Sequence, residues 1–180
     1  PIDIKSPSSW ILASVPQDPS MFPEASFIDS LPYGFNRAKL AWYFIDPLFQ
    51  RQIDNVTPDH LQDEDMLNHF VREIPEQEIF PNKAVRNNQP TTLTCLNLAY
   101  YPTERGPYNF DVAATSISSG LNADGSLANP GSRWAGIMRK IEPTDFETSN
   151  IEFIEFWLMD PFNSDYGPGT STNGGDLYFN

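Results

Sequence analysis

The chain has 180 residues, of which 39% are hydrophobic and 13% aromatic, so it has enough apolar material for a folded core and is not a disordered tail. Its formal net charge of −13 repels phosphate backbones and anionic lipid headgroups, which argues against nucleic-acid binding. No run of 18 or more apolar residues occurs, so no transmembrane helix is predicted. Seventeen prolines favour many short elements joined by ordered loops.

The first half of the chain predicts a strand and a helix after a short apolar run at Trp10–Val15. Arg37–Ile45 is rich in aromatic residues and predicts a strand that is buried on both faces. Thr57 and Pro58 have the composition of a helix start, with a hydroxyl cap followed by proline in the first turn. We therefore expect a helix from Pro58 to about Phe70.

The second half predicts further strands. Thr91–Tyr101 predicts a strand whose even-numbered residues share one face, and the aromatic loop Tyr101–Phe110 follows it. Asn122–Gly125 predicts a turn, because the Asp-Gly pair tolerates positive φ angles. Further strands are predicted in chain order at Trp134–Ile141, Asn150–Met159 and Leu177–Phe179, with a Gly- and Ser-rich loop at Asn163–Gly175 before the last.

These elements predict a mostly β fold, an antiparallel β-sandwich with one short helix and long ordered loops. We expect residues 1–180 to form a single domain, in which 1–30 is a candidate for an extended N-terminal arm. Because Pro1 is not a natural start, we also expect the chain to be a piece of a longer protein.

Two carboxylates in the segment Ile151–Trp157 (IEFIEFW) are the most suggestive catalytic pattern. Glycosidases of the jelly-roll type place two glutamates four residues apart, on one face of a strand. Here Glu152 and Glu155 are three apart and would point to opposite faces of a regular strand. No Gly-x-Ser-x-Gly motif or phosphate-binding glycine loop with lysine occurs either. The residues therefore favour a protein that is not an enzyme.

Metal and cofactor sites are weakly supported. His60 and His69 are nine residues apart, which would place them on opposite sides of a helix. Cys95 is the only cysteine, and a small buried thiol is its expected state. Asn122–Ser126 lacks the first aspartate and the distant glutamate of a calcium loop. We expect no cofactor, with a structural calcium ion left open because oxygen ligands are plentiful.

Aromatic residues are the remaining functional signal. Most of them should fill the core, but loops seldom bury such residues without a reason. The loop Tyr101–Phe110 therefore predicts an exposed contact site for a partner or ligand, formed by Tyr101, Arg105, Tyr108 and Phe110.

Several long strings of the sequence resemble the SprA family, called Sov in some members. They are LPYGFNRAKLAWY (Leu31–Tyr43), IDPLF (Ile45–Phe49), EIFPN (Glu78–Asn82), LNLAYYPTERGPYNFD (Leu96–Asp111), DGSL (Asp124–Leu127), RWAGIMRKI (Arg133–Ile141), TDFETSNIEFIEFWLMDPF (Thr144–Phe162) and GGDLYFN (Gly174–Asn180). The strings keep their order along nearly the whole chain.

The resemblance implies a part of a giant outer-membrane β-barrel, the translocon of the type IX secretion system, which also serves gliding motility. It implies a place in the cell envelope, on the cell-surface or periplasmic side of the outer membrane. It implies as partners other parts of the same translocon chain, accessory proteins and secreted cargo. No catalytic residue comes with it. The fragment lacks the repeated strands of a barrel wall, so we expect it not to span the membrane.

The stretch from Thr144 to Leu158 also looks like the late strands of a galactose-binding-like jelly roll. The leading interpretation is therefore a non-catalytic structural or interaction domain of a SprA-like translocon. The alternative is a carbohydrate-binding module of a cell-surface protein. A glycoside hydrolase that uses Glu152 and Glu155 is the third interpretation.

Overall fold

The computed structural model describes residues 5–84, 91–140, 147, 150, 152–162 and 174–179. The chain forms two compact units, each built from two separated segments. Unit 1 is Pro1–Tyr43 with Leu96–Lys140, and unit 2 is Phe44–Cys95 with Ile141–Asn180. The assignment of all 180 residues to a single domain stays a prediction. None of the described helices has the length and the apolar character needed to cross a bilayer.

The described strands and helices are all short. The strands are β1 (Ile11–Leu12), β2 (Lys39–Tyr43), β3 (Ile74–Pro75), β4 (Thr92–Leu93), β5 (Asn97–Tyr101) and β6 (Ile137–Met138). The α-helices are α1 (Asp63–Met66) and α2 (Glu76–Ile79). Turns of 3-10 helix occur at Pro7–Ser9, Pro23–Phe27, Leu31–Gly34, Pro47–Phe49 and Pro130–Ser132. All five begin at or next to a proline, which suits the first turn of a helix because it has no N–H to leave unpaired.

The strands pair antiparallel, two by two. In unit 1, β1 pairs with β6, and β2 pairs with β5 in a register that sets Lys39 opposite Tyr101 and Tyr43 opposite Asn97. In unit 2, β3 pairs with β4. The described part of the chain is thus mostly β in the coarse sense, with short antiparallel pairs and few helices.

The strand around Trp42 is shorter and more exposed than predicted. It covers Lys39–Tyr43 within the predicted Arg37–Ile45, and both of its end residues are exposed, so burial on both faces was wrong. The Trp42 indole N–H donates to the carbonyl of Pro7 at 3.1 Å, which brings the N-terminal segment against this strand.

Other predicted strands are also interrupted. The predicted strand Thr91–Tyr101 is two strands in different sheets: β4 pairs with β3, β5 pairs with β2, and residues 94–96 between them are in neither. Within residues 134–140, the described part of the predicted strand Trp134–Ile141, only Ile137–Met138 forms a strand, although Trp134 makes a parallel bridge with Arg37. Residues 152–159 have no strand partner among the described residues, and Ile151 lies outside them.

The predicted strand and loop near the C-terminus are not confirmed, whereas the predicted turn at Asn122–Gly125 is. Leu177–Phe179 has no strand partner among the described residues, and residues 163–173 of the predicted loop lie outside them. The turn at Asn122–Gly125 is confirmed by a 3.0 Å hydrogen bond from the Gly125 N–H to the Asn122 carbonyl, with a φ of 83° at Gly125.

The predicted helix from Pro58 to Phe70 was wrong in length. The hydroxyl of Thr57 accepts the N–H of Ile53 at 2.9 Å and so closes an earlier turn instead of capping a helix. Helix α1 starts after Gln62, whose backbone N–H donates to the Asp65 carboxylate at 3.0 Å. It ends soon because the side chain of Asn68 accepts the N–H of Phe70, a local turn that competes with helix.

Ion pairs hold α2 of unit 2 to the residues around it. Arg72 binds Glu78 with both terminal nitrogens, at 2.8 and 2.7 Å, and Lys83 contacts Glu76 at 2.5 Å. The hydrogen bonds from Arg72 lower the pKa of Glu78. Planar, two-point arginine–carboxylate pairs are the stronger class of surface ion pair.

The interior of unit 1 is unusually polar. Among the residues of unit 1 that the structure describes, four apolar residues are buried: Val15, Ala25, Ala38 and Leu127. Seven buried polar or charged residues accompany them: Glu24, Asn36, Arg37, Asn109, Asp111, Ser118 and Arg133. Residues 5–30, suggested by the sequence as an extended arm, thus contribute several of the most deeply buried side chains.

Candidate interaction site

The aromatic loop, residues 101–110, starts at the end of β5 and is tied to β2. The backbone N–H of Lys39 donates to the carbonyl of Glu104 at 3.2 Å, and the Lys39 ammonium contacts the Glu104 carboxylate at 2.6 Å. The same ammonium lies 5.0 Å from the centre of the Tyr101 ring, a cation–π distance. Hydrogen bonding to Glu104 raises the pKa of Lys39. The entry to the loop is therefore fixed by one strand residue.

Asn109 closes the loop from inside. Its side-chain oxygen accepts the N–H of Gly106 at 2.7 Å, and its side-chain nitrogen donates to the carbonyls of Phe35 and Arg37 at 3.0 and 2.7 Å. Arg105, predicted as a contact residue, donates to the Asn109 carbonyl at 2.8 Å while its side chain stays exposed. Because Asn109 is buried and uses both ends of its amide, the loop backbone is held on two sides.

Tyr108 is half-buried and anchored, rather than freely displayed. Its hydroxyl donates to the Ala38 carbonyl at 2.7 Å, and the Arg37 guanidinium lies 5.3 Å from its ring centre. Burial raises the pKa of this phenol, and Arg37 acts in the opposite direction. A β-carbon on Gly106 would lie 2.3 Å from the ring, so glycine is needed where the tyrosine folds back over its own loop.

Phe110 and Val112 are the displayed apolar residues of this region. Phe110 is 59% exposed and Val112 is 69% exposed, and between them Asp111 is buried. Tyr101 is 38% exposed. Sequence reasoning missed Val112, although an apolar residue that directly follows the predicted loop is a readable signal. The exposed apolar surface is thus Phe110 and Val112, with Tyr101 at the loop entry.

Arg133 forms a buried hydrogen-bond network next to the C-terminal end of the aromatic loop. Its guanidinium donates to the carbonyls of Phe35, Gly120 and Ala128 at 2.7 to 3.0 Å, and to the Ser118 hydroxyl at 3.1 Å. That hydroxyl in turn donates to the Asp111 carboxylate at 2.5 Å. Burial lowers the pKa of Arg133, and the negative charge of Asp111 opposes that shift.

A second buried carboxylate, that of Glu24, accepts hydrogen bonds in the interior of unit 1. Its two oxygens accept the side-chain N–H groups of Asn36 at 2.9 Å and Trp134 at 2.6 Å. Trp134 also lies 5.0 Å from the Arg37 guanidinium. Both oxygens of this carboxylate are thus engaged in structural hydrogen bonds, which is the arrangement of a supporting group.

The residues weighed for chemistry are not brought together. Glu152 and Glu155 are exposed. Cys95 is also exposed, so the expectation of a buried thiol was wrong. Within the described ranges, no three His, Cys, Asp or Glu side chains come together in a way that could hold a metal ion. Asp124, in the segment considered for calcium, accepts the N–H and hydroxyl of Ser126 at 2.9 and 2.6 Å.

Comparison of the chain with protein-family models and with curated proteins gave no match.

Proposed function

We propose that the chain is a non-catalytic interaction domain of a SprA-like outer-membrane translocon for protein secretion, and that the aromatic loop contacts a protein partner. The supporting observation is the display of Phe110 and Val112 on a loop whose backbone is held by buried hydrogen bonds. A loop already fixed in its binding conformation loses little entropy when a partner binds. Apolar residues that stay exposed on such a loop are typical of interaction surfaces.

The resemblance supports the same proposal. The string Leu96–Asp111 contains the whole loop with its closing residue Asn109, and the string Arg133–Ile141 begins at the supporting arginine. The partners would be other parts of the translocon chain, its accessory proteins or secreted cargo, in the cell envelope at either side of the outer membrane. A β-sandwich of the jelly-roll type remains the fold expected for such a domain.

The test is a secretion assay in a bacterium that secretes through the full-length protein. The double variant Tyr101→Ala/Phe110→Ala should reduce the secreted cargo several-fold at an unchanged level of the protein. Ile28→Ala, which removes an equally exposed apolar residue of unit 1 outside the loop, is the matched control. Tyr108 is left intact because its hydroxyl bond to Ala38 is structural. Normal secretion by the double variant would remove the loop from the proposal.

The carbohydrate-binding alternative is favoured by one observation, the exposed ring of Tyr101. Stacking of a sugar would have to use the ring face that Lys39 does not cover. Calorimetric titration of the chain with surface glycans separates the two functions. Binding that is lost in Tyr101→Ala would support the alternative, and a flat response would end it.

A further inference from the structure

Residues 152–160 of unit 2 present a row of exposed large apolar side chains. Phe153, Ile154, Trp157 and Leu158 are 77%, 68%, 72% and 63% exposed. No backbone hydrogen bond joins this segment to any other described residue. Two of its aromatic side chains each contact one ring, Trp157 edge-on to Phe80 at 6.4 Å and Phe156 with Phe179 at 4.8 Å, and the Asp160 carboxylate accepts the N–H of Phe162 at 2.9 Å.

The segment lies in the predicted strand Asn150–Met159 and has no strand partner within the part of the chain that the structure describes. In an extended chain, successive side chains point to opposite faces, so Ile154, Phe156 and Leu158 would share one face. Glu152 and Asp160 flank that apolar row, one at each end. Unpaired backbone beside exposed apolar side chains is the arrangement to which extended peptides add as a further strand.

The negative charge of this region favours a basic partner over a second copy of the chain. Residues 141–180 contain eight of the 24 acidic residues and none of the 11 lysines and arginines. A second copy of the chain, paired antiparallel about Phe156, would set Glu152 opposite Asp160, and like charges directly opposite each other are unfavourable. A parallel, in-register copy would set each acid opposite itself. A partner strand with lysines or arginines at these positions would avoid this like-charge repulsion and place a positive charge opposite each acidic residue.

We propose that residues 152–160 are an acceptor strand that binds an extended, apolar segment of a partner protein whose lysines or arginines lie opposite Glu152, Glu155 and Asp160. Backbone hydrogen bonds hold the partner strand, and its apolar side chains cover the exposed row. In an antiparallel arrangement the partner's basic residues occupy the first, sixth and ninth positions of a nine-residue segment. This surface belongs to unit 2 and does not depend on the function proposed for the loop of unit 1.

The test uses the 180-residue chain and a fluorescent nine-residue peptide of alternating valine and threonine, with lysine at the first, sixth and ninth positions. A matched peptide carries glutamate at those three positions. We expect the lysine peptide to bind more tightly by about tenfold or more, since each opposite-charge pair across two strands adds a small favourable contribution. Methylating the backbone nitrogens of the lysine peptide should abolish binding.

Reversing the charge of Glu152 and Glu155 tests whether these residues select the peptide. Glu152→Lys/Glu155→Lys should invert the preference between the two peptides, whereas Asp63→Lys/Glu64→Lys, the same charge change on exposed residues of α1, should leave it unchanged. Equal binding of both peptides, absence of binding, or an equal effect of the α1 variant would overturn the proposal. Sedimentation that shows two chains pairing through this segment would also overturn it, in favour of a second copy.

Discussion

Replacing Arg133 with methionine would test how far the fold of unit 1 depends on one buried cation. Methionine keeps much of the side-chain volume but donates no hydrogen bond. The change removes the guanidinium donors of the carbonyls of Phe35, Gly120 and Ala128. The Phe35 carbonyl keeps its bond from Asn109 and the Gly120 carbonyl keeps one from the Ala128 N–H, so the main loss falls on Ala128. The change also removes the donor to the Ser118 hydroxyl.

The expected loss follows from these contacts. A buried polar group left without a partner costs about 1–3 kcal/mol, and breaking a buried charge network costs about 3–5 kcal/mol. The second figure applies here because the change takes a cation out of a buried network that reaches the Asp111 carboxylate through the Ser118 hydroxyl. Against a typical folding free energy of about 5–15 kcal/mol, Arg133→Met should lower the stability of unit 1 by about 3–5 kcal/mol.

The assay is urea unfolding of the chain, followed through tryptophan fluorescence, to which the partly buried indole of Trp134 contributes, and analysed by linear extrapolation. Arg105→Met is the matched control, because this exposed arginine makes one hydrogen bond, to the Asn109 carbonyl, and should cost less than about 1 kcal/mol. A loss below about 1 kcal/mol for Arg133→Met would refute the structural role assigned to the buried guanidinium.

Three shorter predictions concern other positions. Gly106→Ala should destabilise unit 1 by about 1–3 kcal/mol, because the new methyl group meets the Tyr108 ring. Gly131→Ala should leave the melting temperature unchanged, because the nearest atom to its new methyl group is the Asn129 side-chain oxygen at 4.0 Å, an ordinary contact. Burial raises the pKa of Tyr100 to about 12, so absorbance titration should show a phenol that ionises later than exposed tyrosines. The stability due to this group should be complete below pH 10 and lost as the pH rises towards 12. Cys95 should react with a thiol reagent within minutes in native buffer, and a reaction that needs urea would contradict its exposure.

Two local patterns predicted the local structure that is found. The apolar, aromatic sequence around Trp42 predicted a strand, and the Asp-Gly pair at Gly125 predicted a turn with positive φ. The limits of the elements were less accurate, because side chains such as those of Thr57 and Asn68 bond to nearby backbone and close turns where a helix was expected. The periodicity of apolar residues in the sequence carries no information about such side-chain-to-backbone hydrogen bonds.

The support of the candidate site could not be read from the sequence. Arg133 finds the Phe35 carbonyl 98 residues away, and Trp134 finds Glu24 at a separation of 110 residues. A single charged residue in the sequence is most simply an exposed one, because unpaired charges are rarely buried. Only the fold shows that these residues are brought together, and that Tyr108 is an anchor of the loop while Phe110 is displayed.

Ionic strength separates the two roles that charge plays in this protein. The buried charges of unit 1 are balanced, Glu24 and Asp111 against Arg37 and Arg133, and mobile ions screen buried groups only slightly. The acids of residues 152–160 are exposed, so screening acts on them fully. Raising the salt concentration from roughly 0.1 M to 1 M shortens the screening length from about 10 Å to 3 Å. The lysine peptide should then bind more weakly, while the loss of stability in Arg133→Met stays the same; the opposite pattern would mean that the buried and exposed charges had been assigned the wrong roles.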